Sequence, residues 1–245
     1  MKLAIVANTK QKQELLSRPF AEGTEIVWLE KPALVPEVVG YIDLLFEEGL
    51  FHAGNEAEKL NQAGTQELDG ATPQASATKD KLLVETSRLA LLAEQQSLGS
   101  MIIVSAVMQN CADLPNSFIR MNGWNSFLDK ERMEMTGGSN VENEKATQII
   151  ASLNRKAEWV PDQIGFIAPR VIASIINEAY TALQEGVSDK KQIDTAMKLG
   201  TNYPMGPFAW AEKIGIKKIY QLLSTLSHED VRYHPAQLLT EEANN

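Results

Sequence analysis

The chain is short of several residue types, and each shortage removes a class of function. A single cysteine among 245 residues, Cys111, cannot form an internal disulfide. The opening Met1-Lys2-Leu3-Ala4-Ile5-Val6 has no signal-type apolar region or cleavage site, so a cytoplasmic address is the expectation. Histidines number three, His52, His228 and His234; no pair has metal-ligand spacing and none has a visible acid or nucleophile partner. They read as surface residues. Apolar runs such as Met101–Val107 stop far short of the roughly 20 residues of a membrane span. Basic residues are outnumbered 23 to 32 by acidic ones, giving a net charge of −9, which argues against a duplex nucleic-acid partner. A local basic pocket for a phosphate-bearing small molecule is compatible with that balance. No glycine occurs from Met1 to Glu22.

What is present is enough apolar residue, 44%, for one large domain or two modest ones. Leu3–Asn8, Thr24–Glu30, Tyr41–Phe46 and Met101–Val107 are short Val-, Ile- and Leu-rich runs that predict strands, with a helix over Gln11–Phe20. Strand, helix, strand in that order points to parallel βαβ units. Gly70–Thr78 reads as a loop and Lys79–Gln96 as a helix. Phe118–Trp124 and Arg132–Thr136 predict two further strands, and Asn140–Leu153 a helix.

From Gly165 the punctuation becomes helical. Phe166–Glu185 carries Ile167, Val171, Ile175, Ala179 and Leu183 at every fourth position, widened by Ile172 and Ile176, and Gly186 follows as a stop. Ser188 is the expected cap of Asp189–Leu199, Pro207 opens Phe208–Ile214, and Ile216–Leu226 is a further helix. The change of character places a boundary near Val160-Pro161-Asp162, giving an α/β region over 1–160 and an all-α region over 161–245.

The turn after the first strand is where a dinucleotide fingerprint would place three glycines, for the tight turn, the pyrophosphate and the helix packing. Here it reads Ala7-Asn8-Thr9-Lys10-Gln11-Lys12. The second strand ends in Glu30, where an acidic residue would bond a ribose hydroxyl, although a strand-terminal Glu is more often a solvated charge. These residues alone do not support ordinary NAD binding. Glu47-Glu48 and Glu241-Glu242 read as solvated runs, and Cys111 as an inert small residue.

The stretch Gly165–Glu241 closely resembles the C-terminal domain of the 3-hydroxyacyl-CoA dehydrogenase family. The residues that carry the likeness are Gly165-Phe166-Ile167, Arg170, Ile176-Asn177-Glu178-Ala179, Glu185-Gly186, Ile193–Gly200, Tyr203–Phe208 and Arg232-Tyr233-His234-Pro235. The resemblance implies a Rossmann-type α/β domain followed by an all-α, 6-phosphogluconate-dehydrogenase-like domain that usually forms a dimer contact. It also implies NAD as cofactor and oxidation of 3-hydroxyacyl-CoA in fatty-acid metabolism.

Upstream, Phe118-Ile119-Arg120-Met121-Asn122-Gly123-Trp124-Asn125 resembles the family segment that carries the catalytic histidine. Asn122 then stands at the histidine position, Asn125 at the retained asparagine, and Glu134 at the partner glutamate twelve residues on. The fingerprint glycines fall at Ala7, Thr9 and Lys12, with Glu30 at the ribose position. A catalytic-site serine aligns near Met108 and a substrate-side asparagine at Pro169. The stretch from Phe51 to Lys81 has no clear family counterpart. An amide cannot accept a proton near neutral pH, and loss of a general base costs roughly 10²–10⁴ in rate. Three readings follow: an oxidoreductase of the family, a non-catalytic dimeric acyl-CoA-binding or partner-binding relative, and a changed chemistry with Asn122 and Asn125 holding a thioester and Glu134 as base.

Overall fold

The computed structural model describes residues 1–47, 87–115 and 117–245. His52, the loop expected at 70–78 and the start of the helix expected from Lys79 lie outside the described residues.

β1 (Lys2–Val6) is buried from Leu3 onward, as its unbroken apolar run requires of an interior parallel strand. Its side chains divide with period two. Leu3 and Ile5 enter the core on one face of the sheet, while Ala4 and Val6 enter the core on the other. β2 (Glu25–Leu29) and β3 (Gly40–Asp43) flank it in parallel, followed by β4 (Met101–Ser105), β5 (Ile119–Met121), β6 (Arg132–Thr136) and β7 (Lys156–Trp159). The sheet order is β2-β1-β3-β4-β5-β6-β7. Among the described residues only the β5–β6 pairing is antiparallel. The chain therefore leaves β1 for one neighbour and returns to the other, which puts a topological switch point between β1 and β3.

α1 (Thr9–Leu16) and α3 (Asn140–Ser152) supply Leu15, Ala146, Ile149 and Ile150 to the core that holds Leu3 and Ile5. α2, helical over 87–97, covers the opposite face through Leu92. The connection from β2 to β3 is irregular and is held by side chains: Gln95 bonds the Val35 backbone at both N and O, and Tyr41 bonds Ala33.

The C-terminal helices are α4 (Ala168–Gln184), α5 (Lys190–Gly200), α6 (Pro207–Ile214), α7 (Ile216–Ser227) and α8 (Gln237–Asn244). α4 packs on α6, α7 and α8, around a core that also takes Val107 and Trp124 from the sheet region. Among the described residues no helix is long and apolar enough to cross a membrane.

Several local expectations are corrected. α1 begins at Thr9 rather than Gln11, because Asn8 caps it. Asp189, not Ser188, caps α5: its carboxylate accepts from Gln192 N, while Ser188 Oγ bonds the Gln192 side chain. The every-fourth-residue line on α4 does not mark its buried face. Such a line precesses by about 40° per step on a helix of 3.6 residues per turn. It therefore starts in solvent, with Ile167 56% and Val171 52% exposed, and reaches the core only at Ala179. The buried face is Pro169, Ala173, Ile176 and Tyr180. Strand β7 and helix α8 were not foreseen.

Candidate functional site

β5 and β6 run antiparallel with Arg120 opposite Thr136 and Met121 opposite Met135. One step further, Asn122 N donates to Glu134 O at 3.0 Å, so these two residues face each other across the hairpin. Their side chains meet as well: Asn122 Nδ2 donates to Glu134 Oε2 at 3.1 Å. Glu134 Oε1 accepts from Ile167 N at 3.0 Å and Ala168 N at 2.9 Å, at the start of α4. α4 has no side-chain cap of its own, and Glu134 supplies one from the sheet. With both oxygens engaged, Glu134 positions groups and is badly placed to serve as a free base.

Asn122 Oδ1 accepts from Trp124 N at 3.3 Å. Gly123 between them is required by close approach, since a Cβ there would lie 2.6 Å from Ser105 Cβ. Asn125 is 9% exposed, and its Oδ1 is buried without a hydrogen-bond partner. A buried orphan acceptor of this kind costs free energy unless something supplies a donor.

A cleft of about 320 Å³ opens on this pair, with Phe127, Met133 and Ala168 as its apolar walls and Lys130, Arg132 and Glu158 among its polar ones. Lys130 and Arg132 have well-exposed side chains, and Arg132 pairs with Glu158. Pro169 is buried in the first turn of α4, next to Ala168. Met108 packs in the C-terminal core with Trp124 and Phe127 and does not line the cleft.

Two residues important to this region escaped the sequence reading. Glu47 is buried rather than solvated, which corrects the reading of Glu47-Glu48 at that residue; Glu48 lies outside the described residues. Its carboxylate accepts from Met108 N at 2.5 Å and Trp124 Nε1 at 3.0 Å. Burial pushes its pKa from the ordinary 4.5 up to about 7, against the pull of those two donors and of Lys218 and Arg120. Arg120, fully buried, gives Nε and Nη2 to Ala106 O at 3.0 and 2.8 Å and pairs with Asp162. Its guanidinium lies 4.9 Å from the Phe166 ring centroid, so it clamps the sheet to the passage leading into α4.

A second cleft, about 690 Å³, lies at the C-terminal ends of β1 and β2 and gathers Ala7, Thr9, Lys12 and Glu30, with Asn8, Trp28 and Leu29. Lys12 Nζ sits 5.0 Å from the Trp28 ring centroid. Asn8 Oδ1 accepts from Gln11 N at 2.9 Å and Gln11 Oε1 accepts from Asn8 N at 3.1 Å, a closed capping box. His228 and His234 are exposed and Cys111 is half-buried. Among the described residues no group of three or more His, Cys, Asp or Glu could hold a metal ion.

A Rossmann-type sheet is thus joined to a helical bundle, with the Asn122–Glu134 pair at the hairpin between them. Residues 165–245, a third of the chain, match the family model for the 3-hydroxyacyl-CoA dehydrogenase C-terminal domain. The chain is 42% identical over 101 residues to 3-hydroxyadipyl-CoA dehydrogenase of Escherichia coli, covering 40% of this chain and 21% of that protein. It is 33% identical over 128 residues to 3-hydroxybutyryl-CoA dehydrogenase of Clostridioides difficile, covering 49% of this chain and 46% of the relative. The matches thus span less than half the length of these curated relatives. Among solved structures, (S)-3-hydroxybutyryl-CoA dehydrogenase from Ralstonia eutropha aligns with a TM-score of 0.59 at 18% identity, over 98% of this chain and 92% of that one. That likeness is one of fold.

Proposed function

We propose that the chain binds 3-hydroxyacyl-CoA or 3-oxoacyl-CoA thioesters of fatty-acid metabolism, as a member of an oxidoreductase family that has kept ligand recognition and given up its general base. The observation that carries this reading is the Asn122–Glu134 pair at the end of the β5–β6 hairpin, opening on a cleft with apolar walls and two cationic side chains. The second hydrogen on Asn122 Nδ2 suits a thioester or 3-oxo carbonyl. Lys130 and Arg132, on the wall of the same cleft, suit the phosphates of a CoA ester.

Hydride transfer from a 3-hydroxy group needs a base for the hydroxyl proton. Asn122 cannot accept it, and Glu134 is held by three N–H donors. The assembly we propose is a homodimer through the C-terminal helices, whose surface leaves Ile167 and Val171 half exposed and Leu199 82% exposed. Calorimetry with acetoacetyl-CoA tests ligand recognition, with saturable binding expected. A parallel assay of NADH oxidation with the same thioester is expected to show no turnover; robust turnover would return the full oxidoreductase reading.

A further inference from the structure

A dinucleotide on a Rossmann-type sheet lies across the switch point, with its diphosphate on the free N–H groups at the start of the first helix. Here that position is filled by the chain itself. The Asn8–Gln11 capping box consumes the N–H of Asn8 and the N–H of Gln11, two of the donors a diphosphate would take. The Gln11 side chain is 1% exposed. Its Nε2 donates to Leu44 O at 2.9 Å and to Gly123 O at 3.2 Å. Leu44 follows β3, so this amide ties the first turn of α1 to the end of β3, beside the switch point, and to the residue next to Asn122.

The closure continues one turn along α1. Both carboxylate oxygens of Glu14 accept from Ser126 N at 2.8 Å, and Lys213 of α6 pairs with Glu14 at 3.1 Å. The helix is thereby fastened to the 122–126 segment at two successive turns. What stays open is a cleft on the β1–β2 side, lined by Ala7, Thr9, Lys12 and Glu30 and reaching Leu45 just beyond β3.

We propose that Gln11 is a built-in plug of the dinucleotide crevice and that this protein does not hold a nicotinamide dinucleotide. A ligand entering there must break the bonds of a buried amide and leave Leu44 O and Gly123 O without donors, on a turn with no glycine to let a diphosphate approach the backbone. The inference is independent of thioester binding, which is read by its own titration.

The test is calorimetry of the full chain with NADH alone, together with the backbone amide resonances of Asn8 and Gln11. The parent is expected to give no saturable heat up to roughly 1 mM NADH, and neither resonance should move. The double variant Asn8→Gly/Gln11→Gly, checked for folding by circular dichroism, is expected to bind NADH at least about tenfold more tightly than the parent, because it frees both donors and removes the bridge. Gln11→Ala, which removes the bridge and half of the capping box, makes the same comparison should the double variant not fold. A micromolar dissociation constant in the parent overturns the proposal, as does a folded variant that gains nothing.

Discussion

Asn122 and Glu134 are cross-strand neighbours whose backbones and side chains are both hydrogen-bonded, at 3.0 and 3.1 Å. The twelve-residue spacing between them is therefore the turn-around length of one hairpin, and the pairing is set by strand register. Because Glu134 also receives Ile167 N and Ala168 N, one carboxylate joins the hairpin to the helical region.

Glu134→Ala removes the carboxylate that accepts from Ile167 N and Ala168 N at the start of α4 and leaves the Asn122 amide short of a partner. Loss of a helix cap costs about 0.5–2 kcal/mol, so the urea midpoint should fall. Glu134→Gln keeps an acceptor oxygen and should lose less. Equal midpoints for the parent and the alanine variant would contradict the capping role.

The Glu47 carboxyl titrates at about 7 in the fold against an ordinary 4.5. For an acid whose pKa is raised on folding, the folded state holds the extra proton between those two values. The stability contribution is thus fully present below pH 4.5 and is lost as pH rises through about 7. At about 1.4 kcal/mol per pH unit the full effect is on the order of 3 kcal/mol. Unfolding free energies measured across this range should show that decline, and Glu47→Gln should flatten it.

Asn122→His would place an imidazole opposite Glu134. A restored base is worth roughly 10²–10⁴ in rate, but only with the second reactant held in attack geometry. With Gln11 still in the crevice, this variant is expected to stay nearly inactive toward acetoacetyl-CoA and NADH. Strong turnover from Asn122→His alone would show that the crevice is open.

Light scattering at micromolar concentration should give twice the 27.1 kDa chain mass. Val171→Asp places a charge on the half-exposed turn of α4 and should shift the mass toward one chain without loss of helicity. A parent that runs as a monomer would exclude the dimer.

Legibility from sequence followed locality. β1, β4 and the Pro207–Gly215 helix could be read because an apolar run, or a proline and a glycine, is a signal contained in the element itself. β7 could not: Lys-Ala-Glu-Trp alternates over only four residues and holds no β-branched residue, and it forms because β6 offers it a partner. Asn122 and Glu134 were found through the family resemblance, and their contact then followed from register. Glu47 looked solvated because its reason for burial, the Trp124 indole, lies 77 residues away. Gln11 gave no signal at all, since its bridge ends on backbone carbonyls, and Gly123 is 112 residues distant.

Arg120 holds the helical half against the sheet that carries Asn122. Its guanidinium is bound at once to Ala106 O, Asp162 and Gln163 O, and covers Phe166. Swinging the helical half away from the sheet would strip Asp162, Gln163 O and Phe166 from a buried cation together, a cost of several kcal/mol. Arrival and departure of a ligand are therefore expected by threading through the lysine- and arginine-edged mouth, tail first, past a frame that stays still.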